Sequence, residues 1–329
     1  MTTLMIYGAA GYTGGMVAEH AASSGHGLVL AGRENDREKL QALADRHGAD
    51  TRLFSLDDPD AVAAGLAGIS VVLNAAGPFA HTAAPLMSAA IRAGVHYLDF
   101  SAELDTYREA LALDPRAREA GVMLLPGSGG SVAILGSLAG HAAARVTSPR
   151  KISIALHVAG SMSKGSAVSA SQSLAPETLQ LVQGALVTRS PEDVREFDFG
   201  FGPRSSFPVT LPDLLTIHQA TGVSDIETFV HVTAGSFATG DVKDLPAGPS
   251  FEEREANRYQ ASVEVTGADG SVVRSVLDTV NGYTFTSMAA AEAARRVLAG
   301  DVRPGFQTPA GLFGNGFAET IADTRIVDL

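Results

Sequence analysis

The segment from Leu4 to Gly14, LMIYGAAGYTG, constrains this chain more than any other. Leu4 to Tyr7 read as a buried strand, Gly8 to Gly11 as a tight turn and Tyr12 onward as a helix. Gly8, Gly11 and Gly14 form G-x-x-G-x-x-G, a spaced variant of the dinucleotide fingerprint. In that motif the first glycine permits the turn, the second lets backbone N–H groups approach a pyrophosphate, and the third lets helix pack on strand. The free N–H groups and positive end of the helix would hold the phosphates, with Ala10, Tyr12 and Thr13 completing the cradle. A chain with 35 glycines can also show such a triplet in an ordinary turn, so the reading depends on the elements after Gly14.

Those elements form an unbroken strand–helix alternation. The pattern predicts strands over Leu28–Ala31, Thr51–Leu56, Ser70–Asn74, Tyr97–Ser101 and Val122–Leu125. Between them it predicts helices over Arg37–His47, from Asp58-Pro59, over Ala83–Ala93, and over Asp105–Ala120 with a break at Pro115. Six short strands separated by helices imply a parallel, doubly wound Rossmann sheet whose ligand lies beyond the carboxyl ends of the strands. The residues there are the Gly8 turn, Arg33, Asp57, the loop Asn74-Ala75-Ala76-Gly77-Pro78-Phe79, and Ser101 to Glu103. Arg33 ends the second strand, where an arginine pairs with a 2′-phosphate and an acid would instead bind a ribose 2′-OH; this favours NADP (NADPH) over NAD, with Glu34 behind it pulling the other way. Asn74 fits either a cofactor loop or an Asn-capped turn.

From Pro126 the texture changes. PGSGGS reads as a hinge and Val132 to Val146 as a small-residue helix. Longer strands come next at Lys151–Val158, Glu227–Thr233, Tyr259–Thr266 and Val272–Val280, the last two forming an antiparallel hairpin around Gly267 to Gly270. Helices are expected near Gly165–Leu174 and Pro176–Gly184, an irregular run over FDFGFGPRSSFPVTLP, a mobile loop near Asp241–Asn257, and helices at Ser287–Leu298 and near Leu312–Ile321.

Composition excludes several functions. There is no cysteine, hence no disulfide, thiolate catalysis or Cys-ligated metal, and the nine histidines lack ligand spacing, so no metal is expected. A net charge of −12 without a basic patch argues against nucleic acid. No apolar run is long enough for a membrane span and no leader is evident, so the expected location is cytoplasmic. A short-chain dehydrogenase would need Tyr-x-x-x-Lys, and none of the six tyrosines has a lysine four residues on. G-x-S-x-G and the P-loop pattern are missing as well.

GAAGYTG, LAGR, NAAGPF and HYLDFSAE, in that order, resemble the saccharopine dehydrogenase (saccharopine reductase) superfamily, which includes trans-acting enoyl reductases. SKGSAVS (Ser163–Ser169), GYTFTSMAAAEAARRVLAG (Gly282–Gly300) and GFQTPAGLFG (Gly305–Gly314) are similar to later parts of that family. The PGSGGS element departs from the family pattern. The resemblance implies a nucleotide domain over 1–130, an inserted α+β domain over 131–281 serving substrate or oligomerisation, and a return to the nucleotide domain over 282–329. It also implies NADPH-dependent hydride transfer at a carbon–nitrogen or activated double bond of a small molecule, with a homodimer as the expected assembly. Tyr97, Asp99 and Lys164 are the candidates for the chemistry. Tyr97 and Asp99 share a strand face with Ser101, and both also fit structural roles. Ser163 to Ser166 open a helix that can face the cleft or simply be a capped surface helix. A second class stays open: a nucleotide sensor that binds NADP without turnover.

Overall fold

The computed structural model describes residues 2–172, 177–233 and 245–329. The first half alternates as β1 (Thr3–Tyr7), α1 (Tyr12–Ala21), β2 (Gly27–Gly32), α2 (Arg37–His47), β3 (Asp50–Leu53), α3 (Pro59–Gly65), β4 (Val71–Asn74), α4 (Phe79–Ala93), β5 (His96–Asp99), α5 (Leu104–Glu119), β6 (Met123–Leu125) and α6 (Gly130–Ala143). The second half holds β7 (Pro149–Val158), α7 (Lys164–Gln172), β8 (Thr178–Val182), β9 (Ala185–Arg189), β10 (Arg195–Asp198), β11 (Pro203–Pro208), α8 (Asp213–Thr221), β12 (Asp225–Val232), α9 (Phe251–Ala256), β13 (Tyr259–Gly267) and β14 (Val272–Thr279). It closes with α10 (Gly282–Leu298), β15 (Gly305–Phe306), α11 (Pro309–Phe313) and β16 (Arg325–Asp328).

Strand alternation builds the first sheet. Leu4 and Ile6 of β1 enter one core while Met5 and Tyr7 enter the core on the opposite face, so both faces of the strand are buried. The sheet runs β15-β6-β5-β4-β1-β2-β3 with every pair parallel, a doubly wound arrangement. β1 lies between β2 and β4, so the crevice where the order reverses opens directly above Gly8. β15 is a strand the alternation does not reveal: two residues are too few to carry a period.

The second sheet is mixed. β7 pairs with β12 in parallel, β13 and β14 form the expected antiparallel hairpin, and β16 adds to β14. α6 is buried along nearly its whole length, which an apolar helix of small residues permits, and its side chains join a core containing residues of both sheets. The C-terminal segment is shared: β15 extends the first sheet and β16 the second.

Several local expectations are corrected. The expected helix Pro176–Gly184 is, among the described residues, the hairpin β8–β9; Gln183 and Gly184 both have positive φ, +50° and +78°, the two-residue turn that suits a strand pair. Pro176 itself and Leu174 of the helix before it lie outside the described residues. The FDFGFGPRSSFP run is ordered as the antiparallel pair β10–β11. α5 passes Pro115 without a break, because the ring faces solvent and only one backbone bond is given up. Part of the expected loop over 241–257 lies outside the described residues, whereas 251–256 form α9, closed by a capping box between Ser250 and Glu253. α10 begins five residues before the expected Ser287, because the Asn281 side chain accepts from Tyr283 N and caps it.

Candidate functional site: the carboxyl edge of the parallel sheet

Gly8 adopts φ +88°, and its N–H is held by Ala31 O at 2.7 Å. A Cβ there would sit 2.7 Å from Ala76 N, and one at Gly14 would sit 2.5 Å from Gly8 O. Both positions are closed by backbone and must be glycine. Gly11 is different: it is exposed, and an added Cβ would meet only Gly8 O at 3.2 Å. Gly11 is also the N-cap of α1 and supplies no side chain to the first-turn donors. The helix therefore presents uncapped N–H groups on an open side, the geometry a pyrophosphate requires, with Ala10 and Thr13 partly exposed beside it. Tyr12 reaches away from this cradle: its ring lies edge-on to Tyr283 at 5.5 Å and its hydroxyl donates to Pro249 O at 2.6 Å.

The loop after β4 lies against this turn. Asn74 is fully buried; its Nδ2 donates to Thr82 Oγ1 and Tyr97 Oη, and its Oδ1 accepts from Ala76 N at 3.1 Å. Asn74 thus braces the loop, holding Ala75 and Ala76 against Gly8, while Gly77 stays open toward Ser169 Oγ of α7. Pro78 and Phe79 lead into α4. Glu103 accepts from Phe79 N at 3.1 Å and Ala80 N at 2.6 Å, so a carboxylate from after β5 closes the α4 N-terminus.

Tyr97 and Asp99 share one strand face as expected, joined by a 2.8 Å hydrogen bond, and both are fully buried. Asp99 Oδ1 accepts from Ser101 N and Gly127 N at 2.9 and 2.8 Å. Burial pushes its carboxyl up to about 6 even against those donors, and burial with the neighbouring carboxylate pushes Tyr97 well above the usual phenol range. Ser101 is buried too, accepting from Glu103 N at 3.0 Å. These side chains fix the β5 and β6 tips from within.

At the far end of the crevice, Arg33, Glu34, Asn35, Leu53, Phe54 and Ser55 line a recess of about 330 Å³. The Arg33 side chain is 72% exposed and 4.0 Å from Asp36, leaving its guanidinium available at the rim. Asp57 lies just outside the recess, four residues beyond β3, its carboxylate accepting from Ser55 Oγ at 3.0 Å. A recess with Leu53 and Phe54 on its wall and an arginine at its mouth suits an adenosine carrying a 2′-phosphate.

Residues after position 131 also reach this edge. Ser163 caps α7 through Ser166 N at 3.1 Å. Tyr283 accepts from Ser163 N at 2.7 Å and donates to Ser166 Oγ at 3.0 Å. Lys164 is exposed, and its backbone N–H donates to Ala247 O at 3.2 Å. Arg254 donates to Tyr12 Oη at 2.6 Å. Tyr283 and Arg254 escape sequence reading; only Asn281, as a helix cap, marks the start of the Tyr283 helix.

A parallel sheet with this order, opened by a glycine turn and an uncapped helix, defines a dinucleotide-binding domain. More particularly, residues 4–125 match the family model described as the saccharopine dehydrogenase NADP binding domain. Over 115 residues, 33% of this chain, it is 34% identical to a trans-acting enoyl reductase of Mycobacterium tuberculosis and 33% identical to one of Mycobacterium leprae. The match spans 28% of the length of those relatives. Among solved structures, apo saccharopine dehydrogenase (L-Glu forming) from Saccharomyces cerevisiae aligns over 100% of both chains with TM-score 0.67 at 14% identity, a likeness of fold. No helix among the described residues is long and apolar enough to cross a membrane.

Proposed function

We propose that this protein is an NADPH-dependent oxidoreductase that reduces an imine, or an activated C=C or C=O bond, of a small molecule. Its substrate would lie between the nucleotide domain and the inserted residues 131–281. The observation that carries the reading is the meeting at one edge of the open α1 terminus, the Asn74–Phe79 loop and α7, whose Ser169 Oγ is 3.5 Å from where a Gly77 side chain would begin. NADPH, when bound, supplies a hydride. The α1 N–H groups would hold its pyrophosphate, Arg33 its 2′-phosphate, and the backbone of Ala75 to Phe79 would line its nicotinamide half. Tyr97 and Asp99 serve as positioning groups for the strand tips, since both are spent on internal hydrogen bonds. Lys164, exposed at the start of α7, would attract an anionic part of the substrate.

The test is a panel of imines, enoyl thioesters and ketones offered with NADPH, with its oxidation monitored optically. Turnover of one compound, impaired by Lys164→Ala with NADPH affinity kept, supports the assignment. The burial of both acid candidates favours one alternative, a sensor that binds NADP without turnover. Tight NADPH binding with no oxidation across the panel would select it.

A further inference from the structure

Helix α7 carries a hydroxyl whose proton is unspent. Ser166 Oγ accepts from Tyr283 Oη at 3.0 Å and from Ser163 Oγ at 3.0 Å. A serine oxygen has a pair of lone pairs and a single proton, and both lone pairs are taken here. The proton must therefore point elsewhere, and no described residue accepts it. Tyr283 is held in this role by a further bond: Ser163 N donates to its oxygen at 2.7 Å, which turns the phenol proton toward Ser166. Ser166 is half-buried, so its outer side can be reached, whereas Tyr97 and Asp99 are sealed.

Neighbouring contacts place this pair over the carboxyl edge of the parallel sheet. Ser169 follows Ser166 on the same face of α7, and its Oγ lies 3.5 Å from where a Gly77 side chain would begin. Gly77 is the exposed residue of the loop after β4. In α10, Thr286 follows Tyr283 by one turn, and its backbone oxygen would meet a Cβ at Gly129, in the turn after β6, at 2.7 Å. The Ser166–Tyr283 pair thus joins two helices that rest on the tips of β4 and β6. The sheet order assigns this side of the crevice. β2 and β3, with the Arg33 recess, lie to one side of β1, while β4, β5 and β6 lie to the other. A dinucleotide whose pyrophosphate sits at α1 and whose adenosine fills the recess must extend its nicotinamide half over β4. That half offers acceptors in its ribose hydroxyls and its carboxamide oxygen. We propose that Ser166, its proton directed by Tyr283 and Ser163, donates a hydrogen bond to the nicotinamide half of NADPH. α7 then covers the cofactor from outside the matched residues 4–125. This rests on the cofactor assignment and adds to it a contact from the inserted residues.

NADPH, NADH and 2′-phospho-ADP-ribose separate the parts of the cofactor. The last keeps the 2′-phosphate and the pyrophosphate and lacks the nicotinamide. Ser166→Ala should weaken NADPH and NADH alike, by roughly three- to tenfold, the range for one neutral hydrogen bond, and leave 2′-phospho-ADP-ribose at the parent affinity. Arg33→Ala should give a different pattern, sparing NADH and weakening the other two. Ser166→Thr keeps the hydroxyl and should bind every ligand as the parent does. Tyr283→Phe frees a lone pair on Ser166 and no longer directs its proton, so a smaller loss confined to the nicotinamide nucleotides is expected. That variant carries the test should Ser166→Ala not fold, which thermal melting checks. The nucleotides are titrated by their fluorescence and the fragment by calorimetry, without a substrate. If folded Ser166→Ala binds NADPH as the parent does, or loses 2′-phospho-ADP-ribose by the same factor, α7 is only packed on the Gly77 loop and the proposal is overturned. A loss that Ser166→Thr shares overturns it too. If Gly11→Val binds all of these ligands normally, the cofactor assignment fails instead.

Discussion

Two helices of the nucleotide domain begin at the same edge of the sheet, and their N-termini are treated in opposite ways. α1 starts at Gly11, exposed and without a side-chain cap. α4 starts at Phe79, where Glu103 takes the N–H groups of Phe79 and Ala80. Both ends carry the same partial positive charge. The difference teaches that a helix terminus becomes a ligand site only where the protein withholds its own carboxylate. A fingerprint is in this sense a place where a cap is missing.

The largest effect should come from closing the open end. Gly11→Val places methyl groups where the phosphates must approach, and the outward space at this position lets the domain fold around them. NADPH binding should fall beyond the reach of titration while the circular dichroism spectrum and melting temperature stay near the parent values. Undiminished binding would reduce the fingerprint to a turn. Gly8 and Gly14 cannot serve this test, because added atoms there collide with backbone.

Unpartnered carboxylates sharpen the contrast next. Asp213 opens α8, is fully buried, and neither oxygen has a hydrogen-bond partner among the described residues. Burial pushes its carboxyl up to about 7, and it lies close enough to Tyr107 to help raise that phenol. A carboxyl whose folded pKa exceeds its unfolded value binds protons more tightly when folded. Its contribution to stability is therefore greatest below the unfolded value of 3.8 and is lost as pH rises toward 7. The span corresponds to about 4 kcal/mol at most. Asp213→Asn should accordingly melt at a higher temperature than the parent at pH 8, with the gap shrinking at pH 4. An equal shift at both values would mean that folding does not raise the Asp213 carboxyl above its unfolded value.

Glu103→Gln tests the closed end. An amide can offer one acceptor where the carboxylate offers two, leaving an N–H of Phe79 or Ala80 unmatched, so a stability loss of roughly 1 to 3 kcal/mol is expected by denaturant titration. NADPH affinity should change much less than in Gly11→Val. An affinity loss rivalling that variant would place the anion site at α4 rather than α1.

How much of the fold and the site is legible depends on where the determinants sit in the chain. The Gly8–Gly14 turn and the first six strands can be read because each is local: a strand, a turn and a helix within a few residues, with periods that differ. Alternation places Tyr97 and Asp99 on one face, but their neighbours Asn74 and Gly127 come from β4 and from the turn after β6, so their burial is not readable. Glu103 capping Phe79 spans 24 residues and Arg254 meeting Tyr12 spans 242, and such contacts leave no mark on a single sequence. The β8–β9 hairpin reads as a helix for a local reason. Pro176 and Gly184 flank its first strand with the residues that also start and stop helices, and Gln183 gives no sign that it adopts a positive φ.

The smallest effect concerns the other end of the crevice, where the charge is supplied by a side chain instead of a helix. Arg33 lies at the rim of the recess formed with Leu53, Phe54 and Ser55, and its side chain is 72% exposed. Water and salt screen a guanidinium in that position, so its pairing with a 2′-phosphate belongs at the low end for a charge-assisted bond, about 1.5 kcal/mol. Arg33→Ala should therefore weaken NADPH binding by about tenfold and leave NADH nearly unchanged, with the difference fading as salt is raised. The backbone donors of α1 act on the pyrophosphate common to both nucleotides, so they cannot produce such a split. Equal losses for NADPH and NADH would move Arg33 from the 2′-phosphate to the shared part of the cofactor, leaving the choice between the two nucleotides to other residues of the recess.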